Sequence, residues 1–149
     1  MGEHSRDTNQ DGSRTLSALQ TVLGLVMVAS GVTKLVGEEG QVQNFERWGY
    51  PQWFRVTTGG TETLGGVGLL AGLYSPPLTA LGGSLVVGTM TGAVYTHLLR
   101  VDDPTSEAAK PGTLLAVAAL VTGRGLHRLK EGSDVSGRRT GDDRGSADG

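Results

Sequence analysis

The stretch TLGGVGLLAGLYSPPLTALGGSLVVGTMTGAVYTHLL, residues Thr63–Leu99, determines the fold because none of its residues is Asp, Glu, Lys or Arg. A bilayer core about 30 Å thick needs roughly 20 helical residues to cross it, so the stretch is too long for one span. Pro76 and Pro77 divide it, and proline is tolerated at the start of a helix but not in its interior. The stretch therefore predicts two membrane-spanning helices, over residues 53–74 and 78–99.

Two other parts of the chain, Thr15–Thr33 and Pro111–Gly123, also lack charged side chains. They predict further spans over residues 16–36 and 108–126. The last of these is short, but basic side chains at its ends can extend their charged groups to the membrane surface. The predicted fold is thus all-α, a bundle of four transmembrane helices within a membrane domain over residues 15–126.

A soluble four-helix bundle is the first alternative to this interpretation. A soluble helix carries charged residues along one face, whereas residues 78–99 have no formal charge. A cleavable signal peptide is a second alternative for the first span. Residues 1–14 are polar and mixed in sign, and no convincing small-residue cleavage site precedes Lys34, which argues against a signal peptide.

Composition excludes several classes of function. The 149-residue chain has a net charge of −2 and contains no cysteine. The charge argues against nucleic-acid binding, and the lack of cysteine excludes disulfides, thiol chemistry and cysteine-ligated metals. The segment Gly66–Ala71 fits a loose GxGxxA pattern, but no strand is predicted before it, so we expect no nucleotide site.

The two ends of the chain, residues 1–14 and 127–149, are rich in Gly, Ser, Asp and Arg and are expected to be disordered. With four spans, both ends lie on the same side as the turn at residues 74–77. That side carries more of the basic residues close to the spans, including Arg14, Arg124, Arg128 and Lys130. The positive-inside rule then predicts a multi-pass protein of the cell membrane with both termini in the cytoplasm.

Three ionisable residues, Lys34, Glu62 and His97, fall inside the predicted spans. The first and third helices run outward and the second runs inward, which brings all three residues to the outer half of the bilayer. Side chains tilt toward the N-terminus of their own helix, so Lys34 and His97 lean inward while Glu62 leans outward. The three are therefore expected to form one buried polar cluster, since a charge at that depth needs a partner.

Two interpretations of this cluster remain open. It is either an ion pair that fixes helix register, or a polar pocket where His97 or Glu62 handles a proton while a bound molecule changes its redox state. A quinone headgroup suits such a pocket, because it needs a hydrogen-bond donor for each carbonyl and apolar walls. One histidine and one carboxylate inside a span are too few ligands for zinc or iron, so no metal is expected.

Aromatic and small residues complete the set of candidates. Trp48, Tyr50 and Trp53 belong to an aromatic cluster in the first outer loop, which predicts either an interfacial belt or the lid of a ligand pocket. Small residues let helices approach closely in lipid. The glycines expected at such contacts are Gly31, Gly65, Gly66, Gly68, Gly72, Gly88 and Gly92.

Four motifs in order resemble those of the DoxX-like family, over about Leu16 to Gly123. They are Gly31-Val-Thr-Lys34-Leu35, Trp48-Gly49-Tyr50-Pro51, Gly60-Thr-Glu62-Thr-Leu64-Gly65-Gly66 and Met90-x-x-Ala93-x-x-x-His97. The resemblance implies a small four-helix membrane protein whose recurrent polar positions match Lys34, Glu62 and His97. The family takes its name from a subunit of a thiosulfate:quinone oxidoreductase, and other relatives resemble partners in membrane-associated oxidoreductase complexes.

The first functional hypothesis is therefore a non-catalytic or accessory subunit of a quinone-linked membrane redox system. Its partners would be the lipid bilayer and oxidoreductase subunits, and a quinone would be its ligand, with no covalent or metal cofactor. Within such a system the chain would not be a complete enzyme. The alternatives are a small-solute carrier or permeability protein, and a purely structural membrane partner.

Overall fold

The computed structural model describes residues 3–101 and 104–145, and these residues form helices and connecting turns with no strand. The all-α prediction is confirmed. The described residues form five α-helices: α1 (Glu3–Val36), α2 (Glu39–Arg47), α3 (Gln52–Ala71), α4 (Pro76–Tyr95) and α5 (Ala109–Gly145). A turn of π-helix, Thr96–Arg100, extends α4, and a turn of 3₁₀-helix, Thr105–Ala108, precedes α5.

Glycines in the left-handed region end α1 and α2. Gly37 has φ 73° and Gly49 has φ 72°, values that a residue with a Cβ rarely adopts. The amide of Glu38 then donates to the carbonyl of Thr33 at 3.0 Å, and that of Tyr50 to Phe45 at 2.9 Å, as in a Schellman motif. These two turns place the short helix α2, which the sequence did not predict, across the ends of α1 and α3.

The four long helices contact one another in cyclic order. Helix α1 lies against α3, α3 against α4, and α4 against α5, while α1 and α5 share a smaller contact. At that contact the Arg124 guanidinium donates to Ser13 Oγ at 2.8 Å and to Ser17 Oγ at 3.3 Å. The buried core between the helices consists of Leu23, Met27, Leu69, Val86, Met90, Ala118 and Val121.

Large apolar side chains also face outward from the long helices. Two segments, Gly12–Val36 and Pro76–Arg100, are long and apolar enough to cross a membrane, yet only 28% and 33% of their most apolar windows are buried. The core helix of a soluble protein would be mostly covered, whereas outward apolar surface of this extent is typical of contact with lipid. Exposed apolar side chains occur on α3 and α5 too, among them Leu64, Val67, Leu120 and Leu126.

Two predicted segments match helices to within a few residues, since 53–74 corresponds to α3 and 78–99 to α4 with its π-helical turn. Helix α1 begins before the first predicted span and α5 continues beyond the last one. The disorder predicted for residues 1–14 and 127–149 stays a prediction. The extreme ends, residues 1–2 and 146–149, lie outside the described residues.

Candidate functional site

A buried ion pair links α1 to α3. Lys34 Nζ lies 2.9 Å from Glu62 Oε2, and the two side chains are 11% and 3% exposed. Ser30 Oγ accepts a hydrogen bond from Lys34 Nζ at 2.8 Å and donates one to Glu62 Oε2 at 3.0 Å. The three groups thus form a closed triangle that compensates the burial of both charges.

Close helix packing brings these side chains together. A Cβ added at Gly31 would lie 2.6 Å from the carbonyl oxygen of Gly59, so α1 and α3 touch through their backbones at this level. Lys34 and Glu62 each follow one of these glycines by three residues. Because the helices run in opposite directions and side chains tilt toward the N-terminus, the ammonium and the carboxylate lean toward each other.

Arg55 holds the end of α1 above the ion pair. Its residue is 8% exposed, and its guanidinium donates to the main-chain carbonyl of Lys34 and, at 2.7 Å through Nε, to Gln52 Oε1. The carbonyls of the last helical turn have no partner within the helix, so a basic side chain there acts as a cap. The sequence did not predict this capping role of Arg55, although Gln52 and Arg55 are three residues apart, a spacing at which two side chains of one helix can meet.

An aromatic cluster covers one end of the site. Phe45, Trp48, Tyr50 and Phe54 have ring centroids 4.8–6.3 Å from their neighbours in the cluster. Trp48 also meets His97 edge-on, with centroids 5.2 Å apart. The Nε1 atom of Trp48 is buried and has no hydrogen-bond partner among the described residues, which is rare for an indole N–H.

Tyr50 fixes this cluster to α4. Its hydroxyl lies 3.0 Å from Thr96 Oγ1, and the Arg100 guanidinium lies 4.7 Å from the centre of its ring. Trp53 takes a different position from the other loop aromatics. It is 67% exposed and meets Phe54 edge-on.

A cavity of about 790 Å³ connects the ion pair to the aromatic cluster. Lys34, Glu62, His97, Trp48 and Tyr50 all line it, so the structure places five of the six predicted polar and aromatic candidates around one space. Trp53 does not line it. The apolar part of the wall includes Met27 and Met90, and the wall near the loops includes Gln41, Asn44, Glu107 and Lys110.

The predicted packing glycines separate into two groups. At five of them an added Cβ would meet a neighbouring helix within 3.0 Å: these are Gly31, Gly65, Gly66, Gly68 and Gly72. Gly88 and Gly92 differ from the expectation, since an added Cβ at either would meet nothing within 4 Å. Both line the cavity instead.

The chemistry available in the cavity is that of hydrogen bonding and proton handling. Trp48 offers an N–H donor that has no partner among the described residues, and the imidazole nitrogens of His97 can donate or accept a hydrogen bond. The Lys34–Glu62 pair supplies a cation and an anion on the opposite side. Among the side chains that the structure describes, those of residues 12–101 and 104–134, no group of three or more His, Asp or Glu could hold a metal ion.

Comparisons with known proteins identify the family of this chain. The model of the DoxX-like family matches residues 18–121. The chain is also similar to the uncharacterized protein YdgD of Bacillus subtilis (strain 168), with 27% identity over 103 residues, which cover 69% of this chain and 83% of the relative. No solved structure gives a significant match. The outward apolar surface of the helices and the extent of the family match lead to one conclusion: this chain is a member of the DoxX-like family and a membrane protein.

Proposed function

We propose that α1, α3, α4 and α5 all cross the cell membrane, with both termini in the cytoplasm. The segments Gly12–Val36 and Pro76–Arg100 are long and apolar enough to cross a membrane. Exposed leucines on α3 and α5, and exposed valines on α3, support two further spans. The chain has no cysteine, so single cysteines can report sidedness. Tyr74→Cys and Ser133→Cys should react with an impermeant maleimide from one side, and Glu39→Cys from the other. Labelling of Tyr74→Cys and Glu39→Cys from the same side would contradict this topology.

We further propose that the chain is an accessory subunit of a quinone-linked redox system and binds the quinone headgroup in the cavity. The observation that carries the proposal is a buried indole N–H without a partner among the described residues, in the wall of a cavity that a buried ion pair also lines. A quinone presents two carbonyl acceptors on a flat apolar ring. Trp48 Nε1 could serve one carbonyl, and Lys34 Nζ or His97 the other, while Met27 and Met90 contact the ring.

The residues that line the cavity are also suited to transferring the protons that accompany quinone reduction. A quinone takes up two electrons and two protons to become a hydroquinone, and the imidazole of His97 has two ring nitrogens through which a proton can be accepted and passed on. In this proposal the electrons come from a partner protein. The chain supplies binding, orientation and a route for the proton, which is what an accessory subunit contributes.

Thermal unfolding of the detergent-purified protein tests the proposal. A ligand that binds the folded state raises the apparent stability by RT ln(1 + [L]/Kd), so a benzoquinone at one hundred times its Kd should add about 2.7 kcal/mol. Glu62→Gln should reduce the quinone-dependent shift. Glu131→Gln, an equal change on an exposed residue of α5, is the matched control and should retain it.

Two outcomes would overturn quinone binding. One is the absence of a shift in the unsubstituted protein across a panel of benzoquinones and naphthoquinones. The other is an equal shift in the unsubstituted protein and in a variant that lacks both Trp48 and His97. A shift that appears with a polar solute and not with a quinone would favour the carrier function instead, and uptake into proteoliposomes would then test it.

A further inference from the structure

We propose that the cavity opens sideways between α3 and α4, and that its ligand is an amphiphile that enters from the bilayer and keeps a hydrocarbon tail in that opening. This inference rests on the proposed binding site and extends it. It specifies the class of ligand: a lipid-soluble molecule with a polar headgroup, and not a water-soluble one.

The packing of α3 on α4 changes along their length. Near their shared turn the helices touch, since a Cβ at Gly72 would lie 2.6 Å from the Thr79 nitrogen and one at Gly68 would lie 2.9 Å from the Gly82 Cα. Farther along α4, Gly88 and Gly92 meet nothing within 4 Å. Both are exposed, and both line the cavity. At the level of the ion pair the cavity therefore reaches the surface of the bundle beside Gly88 and Gly92, which leaves a gap in its wall there.

The edges of this gap are apolar in character. Leu85 and Tyr95, which are 42% and 54% exposed, line the cavity on the α4 side. Thr57 and Thr61 line it on the α3 side, and their hydroxyls donate to the carbonyls of Trp53 and Thr57, four residues earlier, at 3.0 Å. Their hydroxyls are thus satisfied within the helix, so the threonines can present their methyl groups to the gap.

The two ends of the ligand then meet different surroundings. The headgroup would lie among the polar atoms of Lys34, Glu62 and Trp48, deep in the cavity. The tail would leave between Gly88 and Gly92 of α4 and Thr61 of α3, at a level where exposed leucines and valines of the same helices indicate lipid. Glycine at positions 88 and 92 is what leaves room for a chain of methylene groups.

The test compares two probes that share one headgroup. The first is 2,3-dimethoxy-5-methyl-1,4-benzoquinone, and the second carries an added n-decyl chain. Quinones quench tryptophan fluorescence at short range. The chain has two tryptophans, so a Trp53→Phe background leaves Trp48, in the cavity wall, as the reporter. Titrations in phosphatidylcholine nanodiscs give an apparent Kd for each probe.

Gly88→Leu and Gly92→Leu place a side chain in the gap, where an added Cβ meets nothing within 4 Å. Each should weaken binding of the decyl probe by about tenfold, a loss typical for filling the space of several methylene groups, and should leave binding of the tail-less probe within about twofold. Gly60→Leu is the matched control, because Gly60 also has open space around it but does not line the cavity. It should leave the Kd of both probes unchanged.

The outcomes separate this inference from the proposed function. If the decyl probe binds the Gly88→Leu and Gly92→Leu variants as tightly as the parent, the opening is not its path, and the headgroup site still stands. Equal weakening of both probes also overturns the inference, because the tail then does not occupy the gap. If neither probe quenches Trp48 in a saturable way, the headgroup site and the inference fail together.

Discussion

Gly31 and Gly59 face each other where α1 crosses α3, and each backbone lies where the side chain of the other would be. A Cβ at Gly31 would lie 2.6 Å from the Gly59 oxygen, and a Cβ at Gly59 would lie 2.8 Å from the Gly31 oxygen. The Cβ of Lys34 is equally close to position 59, at 2.8 Å. This contact therefore sets the helix separation at which the ion pair can form.

A methyl group at this contact should force the helices apart. We expect Gly59→Ala to lower the free energy of unfolding by about 1–3 kcal/mol, the usual cost of overpacking. The adjacent Gly60→Ala should be neutral or slightly stabilising, since Gly60 has open space and alanine is the better helix former. Thermal unfolding of the two variants in the same detergent measures the difference. Equal melting temperatures would show that α1 and α3 do not touch here.

Removing one partner of the ion pair should cost more than removing both. Glu62→Gln leaves the Lys34 ammonium buried without its counter-charge, and we expect it to lower the free energy of unfolding by about 3 kcal/mol. Lys34→Met should have a similar effect, and the double variant should lose less than either single variant. Denaturant unfolding followed by circular dichroism provides the double-mutant cycle. Additive losses would mean that the two charges do not interact.

Trp48→Phe separates ligand binding from folding. Phenylalanine keeps a six-membered ring in the aromatic cluster and removes the five-membered ring with its N–H, which lacks a partner among the described residues, so the free energy of unfolding without ligand should fall by no more than about 1 kcal/mol. Quinone affinity should drop by about fivefold, which corresponds to one hydrogen bond of about 1 kcal/mol. Trp53→Phe, outside the cavity, should change neither quantity. Unchanged quinone affinity in Trp48→Phe would exclude Nε1 as the ligand's donor.

The cap formed by Arg55 should depend on the shape of the guanidinium. Arg55→Lys keeps the charge but cannot serve both Gln52 Oε1 and the Lys34 carbonyl in the same planar geometry. We expect the substitution to lower the free energy of unfolding by about 1–2 kcal/mol. Arg128→Lys, at an exposed position on α5, should change it by less than about 0.5 kcal/mol. A stable Arg55→Lys variant would reduce the role of Arg55 to its charge alone.

The helices could be predicted because membrane spans leave a strong signal in the distribution of charge. The gaps without Asp, Glu, Lys or Arg give α3 and α4 to within a few residues. Helix α2 has no such signal, since the segment Glu39–Arg47 is mostly polar and buries only Phe45. Its position depends on the left-handed turns at Gly37 and Gly49, which act together with the packing of α3.

Only those contacts of the candidate site that follow from the tilt of side chains along a helix could be predicted from the sequence. The meeting of Lys34 and Glu62 follows from antiparallel helices and one general rule of side-chain direction. That Trp48 lines the cavity and Trp53 does not could not be predicted in this way, because it depends on how α2 and the Gly49 turn orient the loop. The same applies to Gly88 and Gly92, whose spacing is typical of close packing but which line the cavity.

The apolar core between the cavity and the Gly72–Thr79 turn has a consequence for how the membrane potential acts on the cavity. Leu69, Val86 and Val121 are fully buried between the cavity and the Gly72–Thr79 turn, while the other end of the cavity reaches the solvent-exposed Lys110. In a polarised membrane most of the potential would fall across this insulating layer. Moving a full charge through the whole potential is worth about 2.3 kcal/mol per 100 mV, but a proton that reaches His97 from the loop side would cross little of it. Protonation in the cavity would therefore follow the pH of that compartment and be almost insensitive to voltage.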